Sequence, residues 1–125
     1  MYLFNFEKLD VWKKAKELTK KVYKLTKHFP EDEKFGITSQ LRRSVISVCS
    51  NIAEGSSRLS KKDQKHFYNL AYSSLMENIN QFLISEDLGY IKESDVHALR
   101  KDVNVISYML NNLRLSVDKR KREVE

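Results

Sequence analysis

Glycine and proline are almost absent from this chain, and the few that occur constrain its fold more than any other feature. The 125 residues contain three glycines and one proline. Pro30, Gly36, Gly55 and Gly89 divide the sequence into four segments, each with apolar residues at helical spacing. No stretch of four to eight residues combines strict alternation with β-branched enrichment, so no strand is predicted.

The first helix is predicted over Leu9 to His28, with Trp12, Ala15, Thr19, Val22, Thr26 and Phe29 recurring at three-and-four spacing beside Val11, Leu18 and Leu25. Pro30 and Glu31-Asp32-Glu33 form a loop. A second helix starts at Thr38 or Ser39, either of which can serve as N-cap. It carries Leu41, Val45, Val48 and Ile52 inward and is expected to stop at Gly55. Ser60-Lys61-Lys62-Asp63 reads as a capping box opening a third helix that Gly89 ends. The fourth has the cleanest heptad: Val96, Leu99, Val103, Ile106, Leu110, Leu113 and Val117. The fold class is therefore all-α, an antiparallel up-and-down four-helix bundle, because short connections force neighbouring helices to run oppositely. One domain is expected over residues 1–118, with a frayed charged tail over 119–125.

Several function classes drop out. A single cysteine, Cys49, leaves no intramolecular disulfide and no cysteine zinc site. Its apolar surroundings make it a small core residue rather than a nucleophile. The opening residues lack the basic and apolar regions of a secretory signal. The apolar stretch over 66–85 is interrupted by Asn69, Glu77, Asn78, Asn80 and Gln81, costly groups in hydrocarbon. The expectation is a cytoplasmic, soluble protein with no membrane association. The isolated glycines make no phosphate loop. Asp63-Gln64-Lys65-His66 is the only Asp/Glu-x-x-His, where a di-iron bundle needs two. His28, His66 and His97 lie near helix ends on different segments. No metal, cofactor, small-molecule substrate or catalytic residue is assigned.

Two helices look too apolar for one core. Residues 44–53 carry no charge and residues 66–85 carry one, Glu77. On a helical wheel the apolar residues of the second helix span about 160° and those of the third about 140°. Beside them run polar stripes: Gln40, Ser44, Ser47, Asn51 and Glu54 on the second helix, and Ser74, Asn78, Gln81 and Ser85 on the third. Self-association through these helices is the favoured explanation, with a broad core and scattered exposed apolar residues as the alternative. The stripe with Asn51 and Glu54 is the one polar constellation able to supply a base. Its ordinary role is to satisfy itself across a helix contact and fix register.

Charge is unevenly distributed. The net charge is +6. Eight lysines against three acids between Glu7 and His28 leave a local balance of +5, whereas Glu77 to Asp102 balances at −3. Lys13, Lys16, Lys20, Lys24 and Lys27 fall within an arc of about 80° and extend about 21 Å along the first helix. Such a row can follow a phosphate backbone, with Tyr23 at its edge for stacking. A second set, Arg42, Arg43, Arg58, Lys61, Lys62 and Lys65, is expected around the turn between helices two and three. The functional reading is a nucleic-acid or acidic-partner surface. The alternative is a solvated face kept soluble by lysine, which lysine's dominance over arginine favours.

QLRRSVISVCSNIAEG over residues 40–55, followed by Ser57-Arg58, Phe67, Ala71, Ser74-Leu75, Glu77 and Leu88-Gly89-Tyr90, resembles the four helix bundle protein family. These are also known as the large-subunit-rRNA intervening-sequence proteins. The opening Phe6-Glu7-Lys8-Leu9-Asp10-Val11-Trp12 matches as well, so the resemblance covers nearly the whole chain. It implies an antiparallel four-helix fold, a homopentamer and no enzymatic activity. Cys49 stands where such sequences carry proline, which implies a straighter second helix. A distant relative is the accessory variability determinant of diversity-generating retroelements, which binds a reverse transcriptase and nucleic acid. The partners implied are thus further copies of the chain, RNA, or a reverse-transcriptase-like protein.

Overall fold

A computed structural model describes residues 2–124, and their side chains through Lys119. A 3-10 turn, Asn5–Lys8, precedes four helices: α1 (Asp10–Thr26), α2 (Ile37–Ser57), α3 (Lys61–Asp87) and α4 (Glu93–Val124). No strand occurs among the described residues. Most of the charged tail, on which the expectation of fraying rests, lies outside the described side chains.

Cross-helix pairs fix the topology. Thr19 meets Cys49 and Thr26 meets Arg42, so α1 and α2 run oppositely. Ser47 pairs with Ser74 and Ser44 with Gln81, which does the same for α2 and α3. Asn69 meets Arg114 and Lys65 meets Asp118 between α3 and α4. α4 packs back on α1, closing an antiparallel up-down-up-down bundle.

The core is the predicted one with two shifts. Leu41, Val45, Val48 and Ile52 are fully buried, as are Ala71, Leu75 and Phe82. On α4, Val96, Leu99, Val103, Ile106, Leu110 and Val117 point inward. On α1 the buried line runs through Val11, Ala15, Leu18, Val22 and Thr26, with Trp12, Thr19 and Leu25 half-buried on its flanks. The second shift concerns the polar stripes: Ser44, Asn78, Gln81 and Ser85 are inside, where α2 meets α3. Much of the width that suggested a second buried face is therefore used within one bundle. Ile46, Leu70 and Ile84 remain partly exposed.

Helix ends follow the expected chemistry at some positions and depart from it at others. Ser60 caps α3 by accepting from the Asp63 N–H at 3.1 Å. Gly89, at φ +79°, ends it. The Tyr90 N–H donates to the Ser85 carbonyl and the Gly89 N–H to that of Glu86, both at 2.9 Å, a Schellman arrangement that requires the left-handed backbone glycine adopts most easily. The start of α2 differs: Gly36 takes the cap position and Thr38 is buried in the first turn. Gly55 is not the predicted helix stop, since α2 continues to Ser57. There Ser56 and Ser57 hydroxyls donate to the Ala53 and Glu54 carbonyls, satisfying acceptors of the last turn. Gly55 is instead a point of close approach. A Cβ there would lie 2.5 Å from Cε1 of the buried Tyr68 ring.

The two loops at one end are joined. Tyr90 Oη donates to Glu33 Oε2 at 2.8 Å, and its ring lies 5.4 Å from that of Phe29. That hydrogen bond to a carboxylate pushes the phenol pKa up.

Cys49 lies between α1 and α2 with Sγ 3.4 Å from Thr19 Oγ1. Burial pushes its thiol pKa up, outweighing its hydrogen bond with Thr19. At neutral pH the thiol stays protonated. Its alkylation by iodoacetamide should be slower than that of a free thiol and should accelerate only above the ordinary cysteine range of about 8.5; reaction at the free-thiol rate at pH 7.5 to 8 would contradict this. For Gly55, glycine to alanine inside a helix ordinarily stabilises by about 0.5–1 kcal/mol. Overpacking against Tyr68 reverses the sign, so Gly55→Ala should lose about 1–2 kcal/mol net in urea denaturation. A raised midpoint would show that the ring gives way.

Candidate nucleic-acid interface

Helical geometry carries the lysine row outward. With Val11, Ala15, Leu18 and Val22 fixed in the core, residues half a turn away must face solvent. Lys13, Lys16, Lys20, Lys24 and Lys27 are all exposed on that face. Lys20 Nζ approaches Glu17 at 3.4 Å, with both side chains well exposed, so the pair holds the ammonium only weakly. Lys16 Nζ sits 4.8 Å from the centre of the Trp12 ring. Lys13, Lys24 and Lys27 make no ion pair among the described residues. Lys21 lies outside this row and bridges to Asp102 of α4 at 2.7 Å.

The second basic set does not assemble as one cluster. Arg42 and Arg43 lie on the N-terminal half of α2, about 22–24 Å along its axis from Arg58. Arg42 is drawn into the fold. Its Nε donates to Thr26 Oγ1 at 2.9 Å, and its guanidinium covers the Tyr23 ring at 4.6 Å. Tyr23 is accordingly half-buried under an arginine rather than open for stacking. Arg43 remains exposed, beside a depression lined by Phe35, Gln40, Ser47 and Glu77.

Around the α2–α3 turn, Arg58 Nη2 pairs with Glu54 Oε2 at 2.8 Å, and the guanidinium carbon lies 4.5 Å from the centre of the Phe67 ring. Lys61 and Lys65 converge on Asp118 at 3.4 and 3.2 Å. The hydrogen bond from Lys65 and the two ammonium charges hold the Asp118 carboxyl below its usual range, against an opposing desolvation effect. Lys62 is exposed and makes no ion pair among the described residues. Of the basic residues singled out from the sequence, those exposed and without an ion pair among the described residues are Lys13, Lys16, Lys24 and Lys27 of α1's row, with Arg43 and Lys62 as outliers.

The polar stripe of α2 divides the same way. Ser44 is buried against α3, whereas Gln40 and Glu54 are exposed and Ser47 and Asn51 half-buried. Asn51 Nδ2 donates to the Ser47 carbonyl at 2.9 Å and to its hydroxyl at 3.2 Å. Glu54 turns to Arg58. The two side chains proposed for base chemistry thus point to different partners and form no shared pocket. Among the described residues no group of three His, Cys, Asp or Glu can hold a metal ion. Among the same residues no helix is long and apolar enough to cross a membrane.

One element at this surface was not singled out from the sequence. The N-terminal arm packs against the start of α1 and the C-terminal end of α2, lining a depression with Ala53, Glu54, Ser56 and Ser57, and places aromatic rings in series. Tyr2 meets Phe4 edge-on at 6.1 Å, Phe4 stacks parallel to Phe6 at 6.1 Å and 3°, and Phe6 meets Trp12 at 5.1 Å. The arm is pinned by Glu7: its Oε2 accepts the Phe4 N–H at 2.8 Å, and its own N–H donates to the Phe4 carbonyl at 3.1 Å. The signal was the alternation of aromatics at 2, 4 and 6, the spacing that shares a face in extended chain.

Comparison with known proteins gives a consistent picture. No curated protein matches the sequence. The fold is similar to the crystal structure of a protein of unknown function from the S23 ribosomal protein family of Bacteroides thetaiotaomicron. The two are 23% identical, with a TM-score of 0.76 over 83% of this chain and 94% of the other. A family model matches residues 7–112, from the glutamate that pins the arm to the last turns of α4. The chain belongs to the 23S rRNA-intervening sequence protein family.

Proposed function

We propose that this protein is a non-catalytic helical bundle that binds RNA through the lysine face of α1. The observation that carries the reading is the row of five exposed ammonium groups, four of them without an ion-pair partner among the described residues, on the face opposite the core. At one lysine per three or four residues, the charges advance by about 5–6 Å, close enough together to neutralise phosphates in succession. The family's description as proteins of 23S rRNA-intervening sequences points to the same class of partner. The bundle also associates with further copies of itself, through the outer faces of α2 and α3 where Ile46, Leu70 and Ile84 are partly exposed. This leaves α1 free on the outside of the assembly. Those same exposed apolar residues favour the second reading, a protein-interaction scaffold in the cytoplasm whose lysines only solubilise it.

Salt dependence separates the two. Anisotropy of a fluorescein-labelled RNA stem-loop should show affinity falling steeply between about 50 and 200 mM salt. Replacing Lys13, Lys16, Lys20, Lys24 and Lys27 together with Gln should flatten the log–log slope by at most about 3.5 to 4.5, some 0.7 to 0.9 per phosphate released. Binding that is absent, or insensitive to both salt and the substitutions, would leave the scaffold reading. Sedimentation of the same sample should give a particle several times 14.8 kDa; a 14.8 kDa particle would remove self-association from the proposal.

A further inference from the structure

The aromatic arm exceeds what packing of this bundle requires. Phe6 is half-buried against Trp12 and closes the end of the core there. Tyr2 and Phe4 lie beyond it, 86% and 63% exposed, yet they are held in order by ring contacts and by the two hydrogen bonds to Glu7. Large aromatic surface left in water and fixed in place is uncommon in the absence of a partner. Fixing it also removes much of the entropy cost that a partner would otherwise meet on binding.

The partner's chemistry follows from what adjoins the arm: on the α2 side Glu54, whose carboxylate is engaged by Arg58, and on the α1 side a line of positive charge. The ring series ends at Trp12, and Lys16 sits over that same ring at 4.8 Å. Lys16 belongs to the exposed row that continues through Lys20, Lys24 and Lys27. Stacking surface therefore passes directly into a cationic track. Flat rings beside a line of positive charge suit a strand whose bases are unpaired and whose phosphates follow at regular intervals. A duplex can use the lysines but cannot offer base faces to Tyr2 and Phe4.

We infer that Tyr2 and Phe4 form a stacking platform for unpaired RNA bases, positioned so that the adjoining phosphates run along the α1 lysines. The inference rests on the RNA-binding reading and narrows it to single-stranded segments, loops or ends.

The test compares a labelled oligoadenylate and oligouridylate with an RNA duplex of equal length, by anisotropy at matched salt. The single strands should bind more tightly than the duplex. The Tyr2→Ala/Phe4→Ala variant should lose about fivefold or more on the single strands, the scale of one stacked base. Its duplex affinity and salt slope should not change, and Tyr2→Trp/Phe4→Trp should recover the lost affinity. An equal loss on duplex and single strand, or no loss on either, overturns the platform while leaving RNA binding in place. Failure of every RNA to bind overturns both readings. A smaller particle in sedimentation for the alanine variant assigns the arm to contact between copies and likewise overturns the platform. Because both side chains are largely exposed, circular dichroism melting should match the unsubstituted protein.

Discussion

The bundle depends on a small polar lock between α2 and α3. Asn78 Nδ2 donates to Ser44 Oγ at 2.8 Å and to the Leu41 carbonyl at 3.1 Å, while Ser44 Oγ donates to Gln81 Oε1 at 2.8 Å. All three side chains are buried. Each lost partner inside a core costs about 1–3 kcal/mol, so sliding one helix past the other by a turn would orphan several groups at once. Apolar stripes alone tolerate such slippage far better, because hydrophobic burial is non-directional. The lock therefore sets the register of the central hairpin, and α1 and α4 pack on the frame it provides. The outward aim of α1's lysines follows from that chain of constraints.

Much of this was readable in advance, and the exceptions share a cause. The α4 heptad, the Ser60 cap and Gly89 were legible because each is governed by neighbours within one or two turns. The polar stripes were visible as stripes. That they pair with each other inside a single bundle cannot be read from either helix alone, because it depends on the register between the two. Gly55 misled for a similar reason: glycine near the end of a helical pattern signals a stop, but here it makes room for a ring thirteen residues away, at Tyr68. Thr38 lost the cap to Gly36 because its side chain is turned into the interior.

The candidate surface divides along the same line between local and tertiary. Periodicity alone placed five lysines on one exposed face. It could not tell that Arg42 would be used between α1 and α2, that Lys61 and Lys65 would share Asp118, or that Arg58 would fold onto Glu54. Long side chains reach across several ångströms, and a neighbouring helix decides whether they stay in water. The aromatic arm is illegible for the opposite reason: it belongs to no α-helix, so no helical repeat marks it.

The contact between Tyr90 and Glu33 has a mechanical consequence. It ties the loop after α1 to the loop after α3, so the two helical hairpins are laced together at that tip. At the opposite tip the α2–α3 turn joins the same two hairpins covalently, and Gly55 seats the Tyr68 ring against α2. The hairpins are thus fastened at both ends, by a phenol–carboxylate bond at one and by the backbone itself at the other, so neither can swing away from its neighbour without giving up one of the two.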